Sequence, residues 1–121
     1  MARILIVDDS PTGQLELSKM LQKHGHEIFT AADGEEGVAK AIAEVPDLIL
    51  MDVVMPKLNG FQATRKITQN ASTAHIPVVL VTTKNQETDR MWGERQGAKG
   101  YLVKPLDEST ILSTMKKLLP G

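Results

Sequence analysis

Four short, uninterrupted apolar runs constrain this chain more than anything else in it: Ile4–Val7, Leu48–Met51, Val78–Val81 and Tyr101–Val103. They are too short and too β-branched for helices, and they do not alternate apolar with polar residues. Such runs belong to strands covered on both faces, the habit of parallel sheets. A weaker extended stretch lies at Glu27–Thr30. Helical patterns fill the gaps. Leu17, Met20, Leu21 and His24 follow helical spacing after Ser10-Pro11, which supplies an N-cap and a first turn. Val38, Ala41, Ile42 and Val45 repeat the spacing after Asp33, with Glu36 placed for a capping box and Pro46 as a stop. Gly60–Gln69 and Gln86–Gln96 are weaker helices. Ile111, Leu112, Met115, Leu118 and Leu119 form the last, capped near Asp107. Gly25 and Gly97 stand where helices should end.

Five β-then-α units in succession predict a doubly wound α/β sandwich, a single domain over residues 1–121. Ligands of such sheets bind beyond the carboxyl ends of the strands. Composition narrows the ligand. With a formal net charge of −1 and no basic run, the chain has no field to draw in nucleic acid or an anionic membrane. There is no cysteine, hence no disulfide and no thiolate chemistry. The first apolar run ends at Asp8-Asp9, short of the roughly seven residues of a signal core. No segment approaches the ~18 apolar residues of a membrane span. The expectation is a cytoplasmic protein, a monomer or weak dimer, without nucleic-acid or membrane partners.

The predicted strand ends carry Asp8-Asp9, Asp52, Thr82 and Lys104-Pro105. Singly these are unremarkable: Asp9 reads as a helix cap, Thr82 as a β-former and Lys104 as a solvated charge. Together on one rim they change meaning. Two carboxylates ~4 Å apart repel by about 4 kcal/mol at an effective dielectric of ~20. A divalent cation relieves that repulsion, and all-oxygen ligation favours Mg²⁺. A hydroxyl and an ammonium beside it can hold the oxygens of a transferred phosphoryl group.

Ile4-Leu5-Ile6-Val7-Asp8-Asp9-Ser10, Met51-Asp52-Val53-Val54-Met55-Pro56, Asn59-Gly60, Val81-Thr82 and Tyr101-Leu102-Val103-Lys104-Pro105 resemble response regulator receiver domains, in order and along essentially the whole chain. The resemblance implies a CheY-like, flavodoxin-like sheet of order 2-1-3-4-5. It implies that Asp52 takes a phosphoryl group from a sensor histidine kinase or a small phosphodonor. Asp8, Asp9, Asp52 and the backbone carbonyl of Val54 would hold Mg²⁺. Thr82 would contact the phosphoryl oxygens, Lys104 would bridge the acidic pocket, and Tyr101 would swing inward as the switch. Pro105 would follow a cis bond. Such a receiver is a switch rather than an enzyme with an external substrate. Its output face is the fourth helix, fifth strand and fifth helix, which would meet a downstream protein.

Phe61-Gln62-Ala63-Thr64-Arg65, Thr82-Thr83-Lys84 and Trp92-Gly93-Glu94-Arg95-Gln96-Gly97-Ala98 resemble the stand-alone receivers of a chemotaxis-like system controlling twitching motility by type IV pili. A phosphate sink for a shared kinase is the alternative role. Thr83 departs from the smaller residue common after the switch threonine. Gly93 should weaken the fourth helix by ~1 kcal/mol relative to alanine. Trp92 reads as a partly buried packing residue, the methionines as core fillers, and His24, His26 and His75 as surface or packing groups. A phosphohydrolase resembling the haloacid dehalogenases would carry Asp-x-Asp after strand one and a cap domain. Here the two aspartates are adjacent. A nucleotide or flavin module would need a richer phosphate loop than Ser10-Pro11-Thr12-Gly13.

Overall fold

A computed structural model describes residues 1–119. Its elements alternate along the chain: β1 (Arg3–Val7), α1 (Pro11–Gln22), β2 (Glu27–Ala31), α2 (Gly34–Glu44), β3 (Leu48–Met51), α3 (Gly60–Gln69), β4 (Val78–Thr82), α4 (Glu87–Arg95), β5 (Gly100–Val103) and α5 (Glu108–Leu118). The strands form one parallel sheet in the order β2-β1-β3-β4-β5. This is the doubly wound architecture the apolar runs require.

Alternate strand residues face opposite sides, so each continuous run supplies two cores. Leu5, Val7, Ile49, Met51, Val78 and Leu80 pack beneath Ala41 of α2 and Ala63 and Ile67 of α3. Ile4, Ile6, Leu48, Leu50, Val79 and Val81 pack beneath Leu17 and Leu21 of α1 and Ile111 and Met115 of α5. Each fully buried Leu or Ile side chain contributes about 1.5–3 kcal/mol of transfer free energy. Gly25 and Gly97 follow α1 and α4 with φ of 84° and 101°, left-handed turns that glycine adopts without strain.

Several helix details differ from the pattern reading. His24 lies beyond the end of α1 and is exposed. On α2, Ile42 and Val45 are 43% and 38% exposed. The buried face is instead Gly34, Gly37 and Ala41. A Cβ on Gly37 would stand 2.9 Å from both γ-carbons of Val7, so a small-residue face brings α2 close to the sheet. The Asp33 carboxylate accepts the Glu36 N–H at 2.8 Å, but the Glu36 carboxylate accepts from Ala32, one residue short of a capping box. A full capping box is on α3, between Asn59 and Gln62. Asp107 caps α5 in position but spends its side chain on the Ser109 and Thr110 hydroxyls.

The fourth helix corrects two expectations. Gly93 is buried, and a Cβ there would lie 2.6 Å from Leu80 Cδ1. Its absence lets α4 press onto β4, so the propensity lost is the cost of close packing. Trp92, expected to be partly buried, is more open than a packing role needs: it is 49% exposed beside Met91 at 48%. Of the other methionines, Met51, Met55 and Met115 are buried while Met1 is exposed.

Candidate functional site

The sheet ladder runs one residue past the strands and sets the rim. The Asp8 N–H donates to the Ala31 carbonyl at 3.0 Å, the Asp52 N–H to that of Val7 at 2.9 Å, and the Lys104 N–H to that of Thr82 at 2.8 Å. Parallel pairing therefore aligns Asp8, Asp52, Thr82 and Lys104 at the carboxyl edge. Carboxylate oxygens of Asp8, Asp9 and Asp52 all lie within 4.8 Å of one another, the one such metal-capable group among the described residues. Asp8 is 2% exposed. Asp9 is exposed and Asp52 intermediate. Ser10 is the N-cap of α1, as its place before Pro11 predicts, and its hydroxyl accepts the Gly13 N–H, so Asp9 is not spent on capping.

Lys104 Nζ donates to Asp52 Oδ2 at 3.2 Å and reaches Asp8 Oδ2 at 3.4 Å. One ammonium against three carboxylates leaves the group two charges negative. Burial raises the Asp52 carboxyl above the ordinary aspartate value; Lys104 pulls it down, and Asp8 pushes it up again. Burial alone would depress the Lys104 ammonium, but Asp52 and Asp8 outweigh it and hold it above the usual lysine value. This hard, all-oxygen, under-neutralised donor set fits a divalent cation such as Mg²⁺. The Lys104–Pro105 bond is cis. Val54 is exposed on the loop after β3. Gly60 packs against Asp52's backbone, where a Cβ would meet its carbonyl oxygen, tying the Asn59-Gly60 cap to the site.

A second network runs from the rim to the surface. Thr82 is fully buried, and its hydroxyl accepts the Lys84 N–H at 3.2 Å. The Tyr101 hydroxyl donates to the Lys84 carbonyl at 2.8 Å. Lys84 thus joins Thr82 to Tyr101 through its own peptide groups. The Arg90 guanidinium sits 5.2 Å from the centre of the Tyr101 ring. A cleft of about 410 Å³ beside the rim has Asp8, Lys104, Thr83, Leu17 and Leu106 in its walls.

Sequence reasoning missed Lys84, Arg90 and Gln14, whose amide donates to the carbonyls of Asp8 at 2.6 Å and Ala31 at 3.0 Å. Their contacts are with backbone or a ring face, which no residue spacing advertises. The histidines stand apart from the rim. His26 Nδ1 accepts the Ala2 N–H, and burial first, then the N-terminal amine and His24, depress its imidazole.

Tyr101 offers a direct titration, because it is the chain's one tyrosine. Its phenol lies above the ordinary value through burial and the charge of Asp89, with Arg90 opposing. Arg90→Ala should move tyrosinate formation to still higher pH, and Asp89→Asn to lower pH, read by ultraviolet absorbance. Identical midpoints in the three proteins would contradict this geometry.

Residues 4–116 match the family model of the response regulator receiver domain. The chain belongs to that family. As a receiver it is 60% identical to Protein PilH of Pseudomonas aeruginosa across the whole of both chains. It is 39% identical to Response regulator PleD of Caulobacter vibrioides over 97% of its own length, yet spans 26% of PleD. Among solved structures, the receiver is similar to chemotaxis protein CheY4 of Vibrio cholerae, with a TM-score of 0.92, 37% identity and coverage of 98% and 99%. It is also similar to the receiver domain of a sensor histidine kinase of Pseudomonas aeruginosa, described with magnesium coordinated in the active site cleft. That pair has a TM-score of 0.90, 30% identity and coverage of 97% and 96%. Among the described residues, no helix is long and apolar enough to cross a membrane.

Proposed function

We propose that this receiver accepts a phosphoryl group on Asp52 in the presence of Mg²⁺ and signals through α4, β5 and α5. The observation that carries the reading is the meeting of three carboxylates and one ammonium at the sheet's carboxyl edge. Asp8, Asp9, Asp52 and the Val54 carbonyl would hold the cation. When bound, Mg²⁺ neutralises the charge that otherwise keeps an anionic phosphoryl donor away.

An Asp52 carboxylate oxygen attacks phosphorus in line; the new P–O bond forms as the donor's P–N bond breaks. The electron pair leaves with the donor's imidazole nitrogen, which takes up a proton. Lys104 already holds Asp52 Oδ2, so it orients the nucleophile and then faces the transferred oxygens. The Thr82 hydroxyl turns toward those oxygens, which costs it the Lys84 N–H. The loop carrying the Lys84 carbonyl then shifts, and the Tyr101 hydroxyl loses its acceptor. Tyr101 swings toward the space Thr82 leaves, and the α4 surface changes with it. The reaction modifies the protein itself and releases the dephosphorylated donor.

A sensor histidine kinase is the phosphodonor on this reading. The 60% identity to PilH supports a place in a chemotaxis-like system governing twitching motility, in the cytoplasm. Trp92, the one tryptophan, reports the output face. A small phosphodonor with Mg²⁺ should change its fluorescence and the amide exchange of residues 84–101, and a chelator should abolish both changes. A phosphorylated protein with unaltered Trp92 emission and exchange would overturn the α4 mechanism.

A further inference from the structure

A parallel ladder carried one rung past β1 would bring the Asp33 N–H to the Asp8 carbonyl. Asp33 has already left the sheet as the N-cap of α2, and that rung is missing. Gln14, in the first turn of α1, supplies it from a side chain. Its amide nitrogen donates to the Asp8 carbonyl at 2.6 Å and to the Ala31 carbonyl at 3.0 Å. Both partners are acceptors, so only the NH₂ end of the amide, with its two protons, can serve them together. Among the described residues no other donor reaches the Asp8 carbonyl. Gln14 is partly buried, and its own backbone N–H is fixed on the Ser10 carbonyl at 3.0 Å.

The carbonyl so held belongs to the peptide unit that joins Asp8 to Asp9. Successive residues of an extended strand point to opposite faces, yet oxygens of the Asp8 and Asp9 carboxylates both come within 4.8 Å of Asp52. The setting of this one peptide decides how the two side chains converge. Asp8 is 2% exposed, and a buried carbonyl stripped of its donor is costly to leave in place. Turning it toward water would carry both carboxylates with it. We propose that Gln14 is a positioning residue of the acidic pocket: its amide holds the peptide between Asp8 and Asp9 and so sets the affinity for the cation. The inference rests on reading Asp8, Asp9 and Asp52 as the cation site. The hydrogen bonds of the Gln14 amide go to neither carboxylate, so it acts through the backbone that carries them. Groups that orient metal ligands commonly change affinity by about 10–100-fold when removed.

The test compares wild type with Gln14→Met, which keeps the length and helix propensity of the side chain and removes the donor. Thr68→Val is the control: it removes the 2.7 Å bond from the Thr68 hydroxyl to the Gln96 carbonyl, in the last turn of α3 and away from the rim. Calorimetric titration with Mg²⁺ alone should show binding weakened about tenfold or more in Gln14→Met and unchanged in Thr68→Val. Amide exchange in chelator adds a readout that does not need the cation. The Ser10 N–H, which donates to Asp8 Oδ1 at 2.9 Å, should exchange several-fold faster in Gln14→Met and at the wild-type rate in Thr68→Val. Should Gln14→Met fail to fold, Gln14→Asn, whose amide is one methylene short of the two carbonyls, takes its place with the same expectations. Wild-type Mg²⁺ affinity in the variant, even with a lower melting temperature, would overturn the inference and leave the cation site standing. No Mg²⁺ binding by wild type would sink the cation site. Exchange at Ser10 would then decide what Gln14 does, and an unchanged rate would remove its role in holding the peptide.

Discussion

Asp52→Asn should reduce phosphoryl incorporation from any donor to background, a loss on the order of a thousandfold or more, as expected when a nucleophile is removed. The amide keeps the shape and still accepts from Lys104, so the loss is chemical rather than structural. Stability should move the other way. Burial raises the Asp52 carboxyl above its unfolded value, Lys104 draws it down without winning, and Asp8 adds to the rise. A carboxyl raised on folding favours the folded state below its unfolded pKa of about 4 and loses that advantage as pH climbs. At neutral pH in chelator, Asp52→Asn should therefore melt a few degrees above wild type. Mg²⁺ should close or reverse that gap, because it gains a ligand from the carboxylate and less from the amide. A variant less stable than wild type in chelator would show that the Lys104 ion pair outweighs burial.

Lys104→Met is expected to have the next largest effect, with opposite signs in chemistry and metal affinity. The ammonium lies 3.2 Å and 3.4 Å from Asp52 and Asp8, contacts worth about 5 kcal/mol each at an effective dielectric of ~20 before desolvation is subtracted. Breaking a fully buried pair costs roughly 3–5 kcal/mol; Lys104 keeps some exposure, so about 2 kcal/mol is expected here. For a chain of this size that lowers the melting temperature by roughly 6–10 °C. The deficit should grow as pH climbs above the unfolded carboxyl value, because Asp52, without its cation, rises further above that value and ionises at greater cost. Mg²⁺ should restore more stability to this variant than to wild type, having lost a competing positive charge. Phosphoryl transfer should still fall by about 10²–10³, the usual cost of one donor aimed at developing charge. Equal Mg²⁺ affinity in the two proteins would argue against Lys104 and the cation sharing one pocket.

Much of this was legible before any coordinates. Continuous apolar runs have one good explanation, strands covered on both faces, and the alternation with helices leaves few topologies. Once the sheet is parallel, every residue just past a run lies on the same edge. That is why Asp8, Asp52, Thr82 and Lys104 could be grouped from sequence alone. Ladder bonds from the N–H groups of Asp8, Asp52 and Lys104 now show how the edge is held.

What stayed hidden depends on distance rather than pattern. Ile42 and Val45 fit an apolar stripe, yet glycines bring α2 so close to the sheet that the small residues take the inner face. Gly93 read as a weak point in α4 and is a packing requirement against Leu80. Trp92, expected to be a partly buried packing residue, stands half-exposed on the face proposed for output. The Lys84 bridge between Thr82 and Tyr101 uses main-chain atoms, which sequence identity does not encode.

Intact-mass and peptide mapping of the wild-type chain, after exposure to a phosphohistidine donor with and without Mg²⁺, addresses the account at its root. One phosphoryl group on the peptide carrying Asp52, formed with the cation and absent in chelator, is the predicted result. A phosphoryl group on another residue, or equal modification of Asp52 without a divalent cation, would contradict it.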